Sequence, residues 1–396
     1  MLRLLLLLLV AEILLHFAAA FTSCASSPYT KASFGLKLSL DSEEMKKCLT
    51  LPRLYVGSQF TLTVGSSIPL SPEQSHYLTK VMRLIKKKRQ KKDENNHKTV
   101  DRDCIRIFNG RDGEWLVKVR ALQEQEQEEK SSDGNRKMKK RRQPRQGEIS
   151  LVVDCIHQLR MQGKGNNAIG PWLIFAPLKK QSRMKLLIEK CTELGISSIT
   201  PAISDRTESS AILSLLGSAA IEEDEPYGVK RSAKDDDDMS FRKLELQAIE
   251  ASEQCERLSI PSITKDVGLP PPEAGLDNAL WKVRDVVRQW SFSWEEQKRV
   301  LLICRERCSG ENSVSDGKAS VYPLLQALRS NSRVAFLVGP EGGWSAEEEK
   351  LFDETCSEYN SENNSPVKCV SIGTSVLRAE TASMLAIGAW GLIHDD

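Results

Sequence analysis

The stretch Phe336-Leu337-Val338-Gly339-Pro340-Glu341-Gly342-Gly343-Trp344-Ser345 joins an apolar strand to a helix through a turn made largely of glycine and proline. Gly339, Gly342 and Gly343 let the backbone approach a ligand and present bare N–H groups, while Pro340 stiffens the turn. Ser345 and Glu348 have the spacing of a capping box and predict where the next helix begins. In an open parallel sheet, ligands bind beyond the carboxyl ends of the strands. A strand ending in this turn is therefore a candidate binding edge, although one such turn is also what any tight strand-to-helix connection needs.

A second stretch repeats the arrangement. Val370-Ser371-Ile372-Gly373-Thr374-Ser375-Val376-Leu377-Arg378-Ala379-Glu380-Thr381-Ala382 runs from a β-branched strand through glycine into a helix opening with Arg378, Glu380 and Thr381. Two such strand ends in this order are far less expected by accident than one. Outward from them, apolar runs that read as strands (173–178, 196–203, 300–304, 333–338, 367–372) alternate with helical patterns. The first helix carries Met184, Leu187, Ile188, Cys191 and Leu194 on one face, and others are predicted over 243–257, 346–356 and 378–393. The alternation predicts an α/β fold, a mostly parallel sheet with helices on both faces. Gly163-Lys164-Gly165-Asn166-Asn167-Ala168 has the letters of a dinucleotide fingerprint but precedes its strand, which argues against a nicotinamide-dependent enzyme.

Residues 51–122 read differently. Leu54-Tyr55-Val56, Cys104 to Phe108, and Glu114 to Val119 are strand-like, with an Asn109-Gly110 turn before the last, so a small β-rich domain is expected. A charged insertion, 86–102, interrupts it, and the uniformly charged 123–147 reads as a disordered linker. The remaining domain, 148–396, carries insertions expected near 216–240, 265–298 and 309–320. The net charge of +2 conceals runs such as 86–92 and 136–142 that are almost purely basic, so attraction to nucleic acid would be local. The ten cysteines lack the paired spacing of a disulfide framework, and Cys304 and Cys308 have no second pair for a metal site, so no metal is expected.

The N-terminus has Arg3, an apolar run from Leu4 to Leu15 broken by Glu12, and Ala18-Ala19-Ala20, followed by an acid-free stretch to Leu40 rich in Ser, Thr and Lys. Residues 1–50 are therefore expected to be a targeting presequence, similar to the bipartite leaders of secondary plastids, with mitochondrial import or secretion as alternatives. No stable membrane association is expected once it is removed.

Gly-Pro-Glu-Gly-Gly at 339–343 followed by Ser-x-x-Glu, and Leu-Arg-x-Glu-Thr-Ala at 377–382, resemble the two signatures of the 16S rRNA (uracil-N3)-methyltransferase family of the SPOUT class. Residues 189–195 with Arg206, and 251–254 with Arg257, are similar to that family's first and glutamine-containing helices. Residues 52–56 and 76–84 resemble its PUA-like RNA-binding domain. The resemblance implies a SPOUT-type parallel sheet with a trefoil knot, a homodimer, and S-adenosyl-L-methionine held by Leu337, Gly339, Gly342, Gly343, Ile372, Gly373 and Leu377. It implies small-subunit ribosomal RNA, or the small ribosomal subunit itself, as partner, with Arg53, His76, Lys80, Arg83, Arg206, Gln254 and Arg257 as RNA contacts. The small residues Ala382, Ser383, Ala386 and Gly388 would suit the knot, the dimer seam or ordinary core packing.

Methylation at uracil N3 requires loss of a proton, which leaves negative charge on the ring. Arg378 is the expected stabilising cation, and Glu341, or Glu380, could accept the proton. The alternative is a non-catalytic RNA-binding or ribosome-assembly protein retaining the fold. The family's Ser-Gly-Arg after the helix glutamine is here Cys255-Glu256-Arg257, and Lys179-Lys180-Gln181-Ser182-Arg183 stands where a glycine is common.

Overall fold

Val300-Leu301-Leu302-Ile303-Cys304 and Val334-Ala335-Phe336-Leu337-Val338 carry no charged side chain, and in the computed structural model both are strands buried along their whole length. Strands of this kind need cover on both faces, as parallel sheets have. The structure describes residues 42–84, 103–121, 150–163, 170–216, 233–269, 280–292, 298–305, 321–358 and 365–394. The expected insertions 86–102 and 309–320, the linker 123–147 and the presequence up to residue 41 lie outside them. Met1–Lys46 and Lys47–Asp396 are separate units.

A short helix, α1 (Ser42–Leu49), precedes a five-stranded sheet built from β1 (Arg53–Tyr55), β2 (Ser67–Pro69), β3 (Cys104–Phe108), β4 (Glu114–Ala121) and β5 (Leu151–Arg160) in the order β1-β3-β4-β5-β2. β1 pairs parallel with β3, and the other neighbours are antiparallel. Between β2 and β3, α2 (Pro72–His76) is capped by Ser71 and Gln74 and runs directly into a π-helical turn, Tyr77–Val81. Leu54, Leu78, Ile105, Ile107, Val117, Leu151 and Val153 form the core packed on this sheet.

Two expected boundaries are corrected here. β5 belongs to the first sheet, so that sheet runs past residue 148, where the second domain was expected to begin; Leu151 and Val153 alternate with partners across β4 and fill its core. Cys48 is fully buried, so the folded chain begins inside the segment assigned to the presequence.

The second sheet has seven strands, all paired in parallel: β6 (Trp172–Phe175), β7 (Ser198–Pro201), β8 (Ser262–Ile263), β9 (Val300–Cys304), β10 (Val321–Pro323), β11 (Val334–Val338) and β12 (Val367–Ser371), ordered β10-β12-β9-β11-β6-β7-β8. The helices are α3 (Gln181–Glu193), α4 (Ser209–Leu216), α5 (Ala233–Gln254), α6 (Val283–Phe292), α7 (Leu324–Ser330), α8 (Ala346–Glu358) and α9 (Ala379–His394). Alternate residues on each strand face opposite cores. Leu173, Leu302 and Phe336 pack with α3, α5, α7 and α9. Ile174, Leu301, Ile303 and Leu337 pack with α6 and α8.

Met184, Leu187, Ile188 and Cys191 are buried as the helical pattern predicts, but Leu194 caps the helix and stays exposed, because Gly195 at φ +91° ends it there. The insertion expected over 265–298 is corrected: it contains α6, whose Val283, Val286, Val287 and Trp290 complete one face of the core. The insertion expected over 216–240 gives up its last residues to the start of α5.

The order of the central strands positions the site. β11 lies between β9 and β6, and β12 lies on the far side of β9. The carboxyl ends of β9, β11 and β12 are therefore adjacent, and the two glycine stretches leave the sheet side by side.

Candidate active site

A cavity of about 440 Å³ opens where these strand ends meet. The first loop contributes Gly339, Glu341, Gly342 and Gly343, and the second contributes Ile372, Gly373, Leu377 and Arg378. Leu337 does not line it; its side chain is fully buried in the core facing α6 and α8, and Val338 stands at the wall instead. Strand alternation gives the reason, since neighbouring residues must face opposite ways.

Each glycine of the first loop answers a different demand. A Cβ on Gly339 would come within 2.9 Å of the Trp344 ring. Trp344 is itself fixed, buried against Phe352 with its Nε1 donating to Cys304 O at 3.1 Å. Gly343 sits at φ +70°, which disfavours any side chain. Gly342 accepts through its carbonyl from Arg206 Nη1 at 2.8 Å. The expected capping box is present: Glu348 N donates to Ser345 Oγ at 3.0 Å, and Ser345 N donates to Glu348 Oε2 at 2.9 Å. Glu348 also receives Ser204 Oγ and Asp205 N, each at 3.0 Å, so the segment following β7 is tied to the base of the same loop.

Charged groups ring the cavity. Arg206, expected to contact RNA, lies here, holding the first loop. Arg378 is exposed at the wall. Arg183, at the start of α3, reaches Glu341 at 3.5 Å and Glu380 at 3.6 Å, and so bridges the carboxylates of the two signatures. Glu380 is buried and does not line the cavity; its Oε2 has no hydrogen-bond partner among the described residues. Arg305, the first residue past β9, lines the cavity and bonds both Glu349 and Asp353 of α8. Burial pushes the Glu349 carboxyl up, and the Arg305 guanidinium opposes that.

Two of the expected RNA contacts are corrected. Arg53 is buried, with its guanidinium over the Phe108 ring; Nε donates to Glu114 Oε1, Nη1 to Ser252 O and Nη2 to Arg257 O, each at 2.6 Å. Arg257 donates Nη1 to Thr192 O at 2.9 Å and Nη2 to Ile196 O at 2.5 Å, capping α3 from below, and burial lowers its pKa to about 10. Both guanidiniums satisfy main-chain carbonyls inside the protein, so neither is available to a phosphate. His76, Lys80 and Arg83 are exposed on and beside the π-helical turn, and Gln254 is exposed at the end of α5.

Sequence reasoning missed Arg183, Arg305, Glu349 and Trp344. Arg305 follows a fully buried strand at the same sheet edge, but without a glycine there nothing local marked it.

A family model described as an RNA methyltransferase domain matches residues 167–217 and 225–391. The ribosomal RNA small subunit methyltransferase E of Rickettsia conorii is 24% identical over 336 residues, covering 85% of this chain and 93% of that protein. Among solved structures, a ribosomal RNA small subunit methyltransferase E from Neisseria gonorrhoeae bound to S-adenosyl methionine is 18% identical, covers 87% of this chain and 98% of that one, and has a TM-score of 0.49. A Legionella pneumophila structure with bound cofactor SAM is 19% identical, covers 86% and 97%, and has a TM-score of 0.48. The matched residues take in the whole sheet edge that carries the cavity and make up more than half of the chain, which belongs to the RNA methyltransferase domain family.

Proposed function

We propose that the protein transfers a methyl group from S-adenosyl-L-methionine to N3 of a specific uridine in small-subunit, 16S-type ribosomal RNA. The observation that carries this reading is the convergence of both glycine loops and Arg378 on one cavity. Its volume lies in the range of small-ligand sites, roughly 300–1,000 Å³. Its walls offer glycine backbone together with Ile372 and Leu377, which suits a nucleoside. A Cβ on Gly373 would meet nothing within 4 Å, so that wall leaves room for a ligand. The bound S-adenosyl methionine of the Neisseria protein and the ribosomal RNA in the Rickettsia protein's name support the same reading.

Bound cofactor would supply a methyl group already activated on a sulfonium. The protein's part is alignment and charge. Arg378 presents a fixed positive charge where a deprotonated uracil would carry its negative one. Glu341 is the proton acceptor in this reading, held beside the cavity by Arg183. The target nucleotide must be unpaired or turned out of its helix, because N3 takes part in base pairing.

The five-stranded unit acts in this account as the PUA-like RNA-binding domain. His76, Lys80 and Arg83 would meet phosphates, and Tyr77, 40% exposed on the same turn, offers a ring for a base to stack on. Gln254 joins them as an RNA contact. A trefoil knot and a homodimer belong to the same proposal. The exposed Leu385 and Leu392 of α9 support a second copy as cover. Ala382, Ser383 and Ala386 are already buried within the protomer. We place the protein in a plastid, on the hydrophobic segment and acid-free stretch before residue 41. No described helix is long and apolar enough to cross a membrane.

Arg378→Ala tests the chemistry. Loss of one charge-stabilising contact costs about a hundredfold in rate, so single-turnover methylation of small-subunit RNA should fall by about that factor while calorimetric cofactor affinity changes far less. Equal losses in both would make Arg378 a cofactor or structural residue.

A further inference from the structure

Three carboxylates stand at or beside the cavity with different commitments. Glu341 is paired with Arg183, and Glu380 is buried on the same guanidinium outside the cavity wall. Glu349 is the third. It projects from the first turns of α8 into the cavity, with its side chain 35% exposed. Arg305 holds its Oε2, and Arg305 is in turn held by Asp353 Oδ1 at 2.7 Å and by its own backbone N donating to Val370 O at 2.9 Å. Oε1 of Glu349 takes no hydrogen bond from the described residues.

This arrangement has a direct electrostatic consequence. One guanidinium is shared between two carboxylates, so Arg305 engages one oxygen of Glu349 and leaves the other open. Of the two acids only Glu349 reaches the cavity. A fixed, half-desolvated carboxylate with one oxygen open is a receptor for a cation carrying N–H donors, and such charge-assisted bonds are about twice as strong as neutral ones. The glycine backbone and apolar side chains of the wall suit an adenosine, and S-adenosyl-L-methionine carries one primary ammonium, on its amino-acid tail.

We propose that Glu349 is the residue that binds the α-ammonium of the cofactor's methionine tail, distinguishing it from adenosyl compounds without an amine. The assignment rests on the cofactor reading above and adds the polarity of binding: adenosine against the glycine loops, ammonium towards the end of β9. Arg305 fixes the carboxylate, and Asp353 keeps Arg305 in place when Glu349 is altered.

Calorimetry with S-adenosylhomocysteine, its deamino analogue and 5′-methylthioadenosine separates the possibilities. The wild-type protein should bind S-adenosylhomocysteine about tenfold or more tightly than the deamino compound, the usual worth of a hydrogen bond to a charged group. Glu349→Gln should erase most of that preference while leaving the affinities for the deamino analogue and methylthioadenosine unchanged. Glu349→Asp, which keeps the charge, should retain a preference for the aminated ligand. If Glu349→Gln weakens all three ligands by one factor, or none of them, the assignment is overturned and the cofactor reading stands. If the wild-type protein binds none of the three, both fall.

Discussion

A Cβ on Gly373 would meet no heavy atom within 4 Å, whereas one on Gly339 would press on Trp344 and one on Gly342 would touch Arg206 at 3.5 Å. These glycines look alike in the sequence, yet they separate ligand from fold differently. Gly339 is small because a tryptophan is packed beneath it, so its replacement disturbs the protein whether or not a ligand is present. Gly373 has no such neighbour, and its φ lies outside the left-handed region. Gly373→Val should therefore leave the melting temperature and circular dichroism unchanged while lowering cofactor affinity by more than tenfold, since its methyls would occupy the proposed nucleoside wall. Equal affinity in the two proteins would show that this wall is not part of the site. The arginines give the same lesson in reverse: Arg53 and Arg257 match an RNA-contacting pattern, but a sequence does not reveal which carbonyls a guanidinium will reach. Arg53 bonds Ser252 O and Arg257 bonds Thr192 O, partners remote in the chain.

Glu114, the first residue of β4, is completely buried and joins Arg53 at 2.6 Å to Arg160 at 2.6 Å, with Arg106 at 3.4 Å. Arg53 continues to the end of α5, so this strand start links the five-stranded sheet to the longest described helix. Glu114→Ala should destabilise the protein by roughly 3–5 kcal/mol, the usual cost of leaving buried charge unpaired. Arg53→Met with Glu114→Leu should cost less than the sum of the single changes; additive losses in chemical denaturation would show that the pair is not coupled. The hairpin turn just ahead of β4 should respond to acid. Arg111, against a smaller opposing effect of burial, holds the Asp112 carboxyl down at about 2, helped by Leu62 N–H and Asn109. A depressed carboxylate stabilises the fold above its unfolded value, about 3.9, and that contribution is lost as pH falls towards the folded value. Stability measured by denaturation should thus favour wild type over Asp112→Asn at pH 6, with the gap closing between about pH 4 and pH 2; a gap independent of pH would exclude ionisation as its source.

Across the whole chain, the sequence made legible those parts whose order is local. Buried strands β9 and β11 announced themselves as unbroken apolar runs, and both glycine loops fell at the edge that the fold turned into a cavity. β5 was missed because its role is set by pairing with β2 and β4, and α6 because its apolar face, Val283, Val286, Val287 and Trp290, is spread through a polar stretch. Arg183, Arg305 and Glu349 went unmarked for a related reason: they come from separate elements, Arg305 and Glu349 reaching one cavity only when β9 and β11 lie side by side and Arg183 reaching its rim through Glu341. Methylation of uracil N3 in small-subunit RNA, as proposed for this cavity, leaves a product nucleoside that can be identified. The most direct test incubates the protein with S-adenosyl-L-methionine and unmodified small-subunit RNA and identifies the product nucleoside by mass spectrometry, with Gly373→Val as control. The wild-type protein should give 3-methyluridine at a single position and the variant none. Methylation of a different base or atom, or cofactor and RNA binding without any methylated nucleoside, would contradict the proposed reaction.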